Sequence, residues 1–188
     1  PAVITALTDK PKVKHTLPSF DESGTFVAFT SNARNGKDMD LFVESVATAG
    51  APKDFGKTPL VELSGSFTVA DWRGDLILVV ESRSNVDEDL WVVDAKKKTK
   101  KLLTKHSGDE RYDGATFARD GKAIFALTDR GSETMRLVAI DAGTGAQTVV
   151  LGGAHDFSHL SVKRPGPDDA TKAEGDVVAF AENVDGIE

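Results

Sequence analysis

Residues 115–142 read ATFARDGKAIFALTDRGSETMRLVAIDA, and this pattern occurs three times in the chain. Each copy has a turn ending in glycine, a short apolar run, a polar loop and a second apolar run. The other copies are PSFDESGTFVAFTSNARNGKDMDLFVESV, residues 18–46, and VADWRGDLILVVESRSNVDEDLWVVDA, residues 69–95. The turn glycines Gly24, Gly74 and Gly121 are 50 and 47 residues apart. Because the apolar landmarks keep the same phase, the chain is built from one recurring unit.

The recurring unit is predicted to be a sheet of four antiparallel strands. Its apolar runs are short, rich in Val, Ile, Leu and Phe, and bounded by Gly, Asp and Asn, which is typical of strands. No window holds a long apolar period of 3.6 residues, so little helix is expected. One further strand precedes each glycine turn and another follows each second apolar run. Four strands in a repeat of ~40–50 residues are typical of a β-propeller blade.

The predicted fold class is therefore all-β, a partial β-propeller with about three complete blades and parts of two others. The incomplete propeller occupies residues 1–188. Residues 1–8 are predicted to be the outer strand of a preceding blade, with a strand at residues 3–7. Complete blades are predicted at 14–63, 66–104 and 113–151, and the first half of a further blade at 157–188. Packing of one blade on the next is expected to bury six residues: Phe29, Leu41, Val79, Leu90, Leu127 and Leu137.

Composition narrows the function classes. The chain has 188 residues, a net charge of -7, no Cys and four His. Because the net charge is negative, the chain lacks the positive electrostatic field that attracts nucleic acid. Because it has no Cys, neither disulfides nor thiol catalysis can occur. No apolar run approaches the ~20 residues of a membrane-spanning helix, and no HExxH spacing indicates a His-rich metal site. We therefore expect no nucleic-acid partner, no membrane partner and no cofactor. The compartment stays open, as a soluble protein of the cytoplasm, the periplasm or the secreted fraction.

Three further motifs favour structural interpretations over functional ones. Acidic residues precede the third strand of two copies, but their spacing lacks a calcium loop and favours solvated strand starts with turn hydrogen bonds. The basic run at residues 96–101 predicts a solvated outer hairpin turn, whose lysines would discourage edge-to-edge pairing. The stretch Gly143-Thr144-Gly145 predicts a tight hairpin, because the third glycine and the helix of a dinucleotide site are missing. The acidic residues are Asp38, Asp40, Asp87, Glu88 and Asp89.

No catalytic residue is predicted in the chain, because it contains no G-x-S-x-G nucleophile elbow. Arg83 and Arg130 occupy equivalent loop positions after the second strand of their copies. Asn32 stands at that position in the first copy. The two arginines would lie near a substrate opening, or else tie neighbouring blades together through Asp129, Glu133 or Asp87. Polar residues of the innermost strands are expected to face a central channel. The substrate-face and channel candidates are His15, Arg83, Asp113, Arg130 and His159.

The three copies resemble the propeller repeats of the prolyl oligopeptidase family of serine peptidases. The resemblance rests on PSFDESGTFVAFTSN with DMDLFV, on DWRGDLILVVESRSNVDEDLWVVD, and on KKLLTKHSGDERYDGATFARDGKAIFALTDRGSE. It implies a propeller that caps an α/β-hydrolase domain and restricts access to short peptides. The role implied for this chain is non-catalytic: gating and positioning peptide substrates for a hydrolase domain outside these residues.

The implied partners are a peptide substrate, together with the remaining blades and the hydrolase domain of the same protein, or else a second copy of the chain. TolB-like propellers use a similar P-x-F-S-P-D-G hairpin, seen here as PSFDESG, ADWRG and TFARDG. The alternative is therefore a TolB-like scaffold or a protein-interaction module.

Overall fold

A computed structural model describes residues 6–8, 10–16, 18–46, 56–163 and 175–184. Within these ranges the regular structure is entirely β. The strands are β1 (Ser19–Phe20), β2 (Phe26–Ser31), β3 (Asp40–Ser45), β4 (Phe67–Arg73), β5 (Leu76–Ser82), β6 (Glu88–Asp94), β7 (Thr99–Leu102), β8 (Tyr112–Phe117), β9 (Ala123–Thr128), β10 (Arg136–Asp141), β11 (Gln147–Leu151), β12 (Phe157–Lys163) and β13 (Val177–Glu182).

The strands form a series of sheets in which sequence neighbours pair. The orders are β1-β2-β3, β4-β5-β6-β7, β11-β10-β9-β8 and β12-β13. The pairs with a described register are antiparallel, such as β2 with β3 and β9 with β10. The chain is thus an all-β, partial β-propeller made of four-stranded antiparallel blades.

The strand predicted after the second apolar run of the first copy is reduced to a single bridge between Leu41 and Val61. The N–H of Leu60 donates to the Leu41 carbonyl at 2.8 Å. Two residues further on, side chains take over the backbone groups of Leu63. Its N–H donates to Asp40 Oδ1 at 2.8 Å, and its carbonyl accepts from Arg34 Nη2 at 3.3 Å. Of the strand predicted at residues 3–7, residues 3–5 lie outside the described residues, and Ala6 and Leu7 are not in a strand.

A glycine that ends a tight hairpin turn is expected to have a positive φ, and the turn glycines do. Gly24, Gly74 and Gly121 have φ of 68°, 54° and 69°, in the left-handed region where glycine carries no steric penalty. In the half-blade that follows, Gly175 also has a positive φ, 122°. Gly24, Gly74 and Gly121 each lie between the first two strands of their sheet and close that hairpin.

The innermost strands β4, β8 and β12 each contain an irregularity that the sequence did not predict. Their registers shift between Val69 and Asp71, between Asp113 and Thr116, and between Ser158 and Ser161. A β-bulge adds one unpaired residue and turns the side chains next to it. The shift in β12 includes His159, whose φ is 53°, an uncommon value for a residue other than glycine.

The chain divides into two compact units, each with its own core. Unit 1 comprises Pro1–Arg83 and Trp91–Lys101, and unit 2 comprises Ser84–Leu90 and Leu102–Glu188. In unit 1 the first sheet packs on the second through Ala28, Leu41 and Leu63 against Phe67, Trp72, Ile77, Val79 and Val93. In unit 2 the third sheet packs on the fourth through Leu127, Met135 and Leu137 against Phe157, Leu160, Val178 and Phe180.

The six residues predicted to be buried between blades are all buried in the structure. Leu41 and Val79 belong to the core of unit 1, and Leu127 and Leu137 to that of unit 2. Phe29 packs on the other face of the first sheet, where its ring stacks on Phe42 at 5.5 Å.

Candidate functional site

In unit 2, polar side chains surround a cavity of about 340 Å³. The start of β8 contributes Asp113, with Arg111 just before the strand, and the start of β6 contributes Glu88, with Asn85 in the connection before it. The remaining lining residues are Met135, Asp156, Phe157 and Ser158. Asp113 is exposed and pairs with Leu127 across the β8–β9 ladder, so its carboxylate is available to a ligand. Among the predicted channel residues of this unit, Asp113 is the one that lines the cavity.

In unit 1, a larger cavity of about 800 Å³ is built from the same parts of the repeat. Its walls are the segments that lead into an innermost strand, residues 13–16 and 65–68, and the loop between the second and third strands, residues 36–39 with Asn32. His15 lies in this wall. Both units therefore place polar residues at the end of the sheets where the innermost strands begin.

The surroundings of His15 favour its neutral form. Its backbone forms a bridge with Ser31, and its ring meets Phe29 edge-on at 5.6 Å. Burial lowers the pKa of His15, and the nearby Lys10 ammonium lowers this pKa further. A neutral imidazole both donates and accepts a hydrogen bond, which suits contact with a polar ligand.

A titratable cluster of unit 2, which we call the His106 cluster, comprises His106, Asp87, Asp89, Glu110 and Arg130. The His106 side chain is 1% exposed. Its Nε2 lies 3.0 Å from Asp87 Oδ1, and its Nδ1 lies 3.2 Å from Asp89 Oδ1 and 3.6 Å from Glu110 Oε2. Glu110 Oε2 is also 3.5 Å from Arg130 Nε. The cluster thus joins three carboxylates to two basic side chains.

The surroundings of His106 favour its charged form. Burial lowers the pKa of His106, but the hydrogen bond with the Thr104 carbonyl and the carboxylates of Asp87, Asp89 and Glu110 outweigh this effect. The net result is a pKa raised above the usual value of 6.5. Sequence analysis missed His106. The available signal was that His106 and Asp87 lie equally far from the middle of the β6–β7 hairpin.

The His106 cluster does not have the geometry of a catalytic triad. A triad histidine needs one ring nitrogen on a carboxylate and the other on a nucleophile. Both ring nitrogens of His106 face oxygen acceptors instead, Nδ1 the Thr104 carbonyl at 3.0 Å and Nε2 the Asp87 carboxylate. Across the described parts of the chain, no three or more His, Asp or Glu side chains are placed to hold a metal ion.

Arg130, a predicted site residue, fastens the segment between β7 and β8. Its Nη1 donates to the Thr104 carbonyl at 3.3 Å and to the Tyr112 hydroxyl at 3.2 Å. The hydrogen bond to Tyr112 and, after it, the carboxylates of Glu110 and Asp89 outweigh burial and raise the pKa of Arg130. Asp129 pairs with Arg111 instead, at 2.9 Å from its Nε. In this unit, Glu110 is the carboxylate that pairs with Arg130.

In unit 1, the sequence alignment missed Arg34, which pairs with a buried carboxylate. Arg34 Nε lies 2.6 Å from Asp40 Oδ2 and Arg34 Nη2 3.1 Å from Asp40 Oδ1, a two-pronged ion pair. Arg34 lies six residues before Asp40, and Arg83 lies six residues before Asp89, so Arg34 is the equivalent of Arg83. The first copy has one extra residue between its turn glycine and this arginine. Arg83 itself lies 3.5 Å from Glu81, in unit 1.

The acidic residues before the third strands are not all solvated, which corrects the prediction. Asp40 is 0% exposed and Asp89 is 3% exposed. Asp40 is paired with Arg34, and Asp89 accepts from the Thr104 hydroxyl at 2.8 Å. A buried carboxylate is tolerated only with such partners. Asp38 fits the expected turn hydrogen bonding, because it accepts from Gly65 N–H at 3.0 Å.

His159 is exposed and stands apart from the cavity lining. Its Nδ1 lies 3.1 Å from the hydroxyl of the neighbouring Ser158. The β-bulge in β12 determines where the His159 side chain points. The alternation of side chains in a regular strand would not indicate this direction.

Replacing Thr104 with Val tests the buried hydrogen bonds beside the His106 cluster. The fully buried Thr104 hydroxyl donates to Asp89 and accepts the Leu90 N–H at 2.8 Å. We expect Thr104→Val to lower the free energy of unfolding by about 2 kcal/mol, because it leaves a buried carboxylate and an amide without this partner. The matched control is Thr99→Val on exposed β7, with an expected change below about 0.5 kcal/mol. Equal urea midpoints for both variants would contradict the assignment.

The succession of four-stranded antiparallel sheets defines the class as a β-propeller. No protein-family model and no curated protein matches the chain. Among solved structures, a putative TolB from Agrobacterium tumefaciens has a TM-score of 0.54 at 16% identity, covering 73% of this chain and 46% of its own. TolB from Acinetobacter baumannii has a TM-score of 0.58 at 17% identity, covering 90% and 41%.

A structure from a study of two prolyl endopeptidases has a TM-score of 0.60 at 13% identity, covering 77% of this chain and 23% of its own. At these identities, all three similarities show the propeller fold alone. The chain spans less than half the length of each neighbour. In the described residues, no helix has the length and apolar character needed to cross a membrane.

Proposed function

We propose that the chain is the propeller portion of a prolyl oligopeptidase-like serine peptidase. In this role it gates and positions short peptides for a hydrolase domain that lies outside these 188 residues. The observation that carries the proposal is the polar cavity at the start of the innermost strands, present in each unit. The absence of a G-x-S-x-G elbow from the sequence is consistent with a non-catalytic role.

The chemistry of the cavity walls suits a peptide. An extended peptide presents N–H donors, carbonyl acceptors and side chains of mixed polarity, so its site needs groups of both kinds. In unit 2, Arg111 is a donor and Asp113 an acceptor, next to the apolar Met135 and Phe157. In unit 1, Lys37 and Asn32 lie in the same wall as Met39 and Phe67, and peptide contacts there would follow the same pattern.

The test uses the intact protein that contains this chain. It is expected to cleave a chromogenic short peptide, with activity abolished by a serine-directed inhibitor, whereas the 188 residues alone show no turnover. Asp113→Asn should raise KM about five-fold with little change in kcat, because it removes a binding contact and no catalytic group. Lys122→Ala, in the β8–β9 turn, is the control and should leave both constants unchanged. Activity that resists the inhibitor, or a KM that Asp113→Asn leaves unchanged, would contradict the proposal.

A TolB-like scaffold is the second candidate. It is favoured by the Acinetobacter baumannii structure, which covers 90% of this chain, more than the peptidase structure covers. The coding sequence of the whole protein separates the two. A G-x-S-x-G motif with later Asp and His residues supports the peptidase, and a stop codon after the last blade supports the scaffold.

A further inference from the structure

We propose that His106 is a pH-sensitive latch that, in its charged form, holds the segment between β7 and β8 onto the segment that leads into β6. Both segments belong to unit 2. The geometry of the ring and its oxygen neighbours carries the inference, and it applies to the described residues 84–90 and 102–112.

The first step concerns the number of protons that the ring needs. An imidazolium has two N–H donors, whereas a neutral imidazole has one donor and one lone pair. Nε2 is 3.0 Å from an Asp87 oxygen and Nδ1 is 3.0 Å from the Thr104 carbonyl oxygen. Both are acceptors, so the charged ring satisfies both contacts. The neutral ring must leave one lone pair facing an oxygen, whichever tautomer forms.

The second step concerns the charges that face the ring from each neighbouring element. Negative charge comes from Asp87 before β6, Asp89 within β6 and Glu110 before β8. Arg130, between β9 and β10, supplies a positive charge 3.5 Å from Glu110 Oε2. The Tyr112 ring on β8 lies 6.5 Å from the imidazole ring. Three carboxylates against one arginine leave an excess of negative charge, which a charged His106 reduces.

The third step connects the ring to the backbone it holds. The Glu88 N–H donates to the Glu110 carbonyl at 2.8 Å, and the Tyr112 N–H donates to Glu88 Oε2 at 3.3 Å. These hydrogen bonds join the same two segments that His106 bridges. When His106 loses its proton, the lone pair of one ring nitrogen faces an oxygen acceptor. The two hydrogen bonds between the segments should therefore open more often.

The latch adjoins the cavity of unit 2. Glu88 lines that cavity, and Arg111 follows directly after Glu110 in the segment that His106 holds. Opening the latch would therefore move part of the cavity wall. The consequence for peptide binding rests on the proposed function, but the latch itself does not.

The sign of the pH dependence follows from the folded state favouring the proton. The folded pKa of His106 lies above 6.5, so its stabilising effect is complete below about pH 6.5 and is lost as the pH rises through the folded value. The latch should therefore be closed in mild acid and should loosen at alkaline pH.

Hydrogen exchange on the intact protein, followed by mass spectrometry from pH 6 to pH 9, tests the latch. After correction for the intrinsic exchange rate, protection of residues 84–90 and 102–111 should fall at least ten-fold with rising pH. Protection of β9, which takes no part in the bridge, should change less than two-fold. A flat profile for the two latch segments, or an equal fall in β9, would overturn the proposal.

Two variants separate the latch from general alkaline loosening. Asp87→Asn removes one carboxylate from Nε2, so the pH at which protection falls should move to lower values. His106→Gln, which cannot titrate in this range, should show no such step, while replacement of the exposed His159 of β12, His159→Gln, should behave as the wild type. If His106→Gln does not fold, the comparison of wild type with Asp87→Asn decides, and coincident profiles reject the latch. None of these readouts needs a peptide, so failure of the peptidase assignment would leave the result intact.

Discussion

Gly145→Ala is expected to destabilise the protein by about 3 kcal/mol or more, as a sum of two costs. The φ of Gly145 is +83°, where a residue with a side chain pays about 1–2 kcal/mol. In addition, a Cβ at Gly145 would overlap the carbonyl oxygen of Leu103 and would lie 3.1 Å from the carbonyl carbon of the same residue. Both residues belong to unit 2, and backbone atoms in a packed segment cannot swing aside as a long side chain can.

The hairpin around Gly145 offers no alternative conformation at low cost. Asp141 Oδ1 accepts the Gly143 N–H at 3.1 Å and the Thr144 N–H at 2.6 Å, and the Gly145 N–H donates to the Asp141 carbonyl at 2.8 Å. Relieving the contact with Leu103 would break these bonds. The sequence predicted the tight hairpin at residues 143–145, but the neighbour that requires glycine is 42 residues away.

Gly74→Ala is the matched control for this substitution. Gly74 also has a positive φ, +54°, but nothing lies within 4 Å of its added Cβ. It should therefore show the conformational cost alone, about 1–2 kcal/mol. Urea unfolding of both variants gives the difference between them, which measures the contact with Leu103. Equal free energies of unfolding would show that the backbone adjusts freely, contrary to the packing described.

Leu41→Ala should destabilise unit 1 by about 3 kcal/mol, because truncation leaves a cavity between two sheets. Leu41 is 0% exposed and belongs to the cluster that packs the first sheet on the second. Its neighbours there come from both sheets, so they cannot close the gap without moving a sheet. The adjacent bridge between Leu41 and Val61 would loosen with it.

The control for Leu41→Ala is Val150→Ala, which also shortens an apolar residue on a strand. Val150 is 52% exposed, so a change below about 1 kcal/mol is expected. Tryptophan fluorescence reports on unit 1 directly, because Trp72 and Trp91 both pack in or against the same cluster. A loss from Leu41→Ala no larger than that from Val150→Ala would refute the role of Leu41 between the sheets.

Local sequence patterns predicted the elements of the fold well. The alternation of glycine turns and apolar runs predicted antiparallel strands, and Gly24, Gly74 and Gly121 have the left-handed φ expected of them. These features depend on a few neighbouring residues, so a repeat of local signals is sufficient to indicate them. The same repeat located the buried leucines, because equivalent positions in stacked sheets meet equivalent surroundings.

Prediction of the candidate site was less complete. Of the five predicted residues, His15 and Asp113 line cavities, Arg130 joins the His106 cluster, and Arg83 and His159 stand apart from the two cavities. The bulges in the innermost strands are one reason, because an extra residue changes which side chains point to the same face. Arg34 was missed because the first copy has an extra residue before this loop and the alignment placed Asn32, two residues before Arg34, at the position of Arg83.

The sequence by itself determined the repeating strand-and-turn unit, the left-handed glycines and the apolar positions between sheets, because each follows from residues close together in the chain. Only the tertiary structure decided that Asp40 and Asp89 are buried, that His106 lies among three carboxylates, and that Gly145 faces the Leu103 carbonyl. Those features depend on how separate segments meet. Burial and the exclusion of water set the charge of such groups, and residue type alone does not indicate either one.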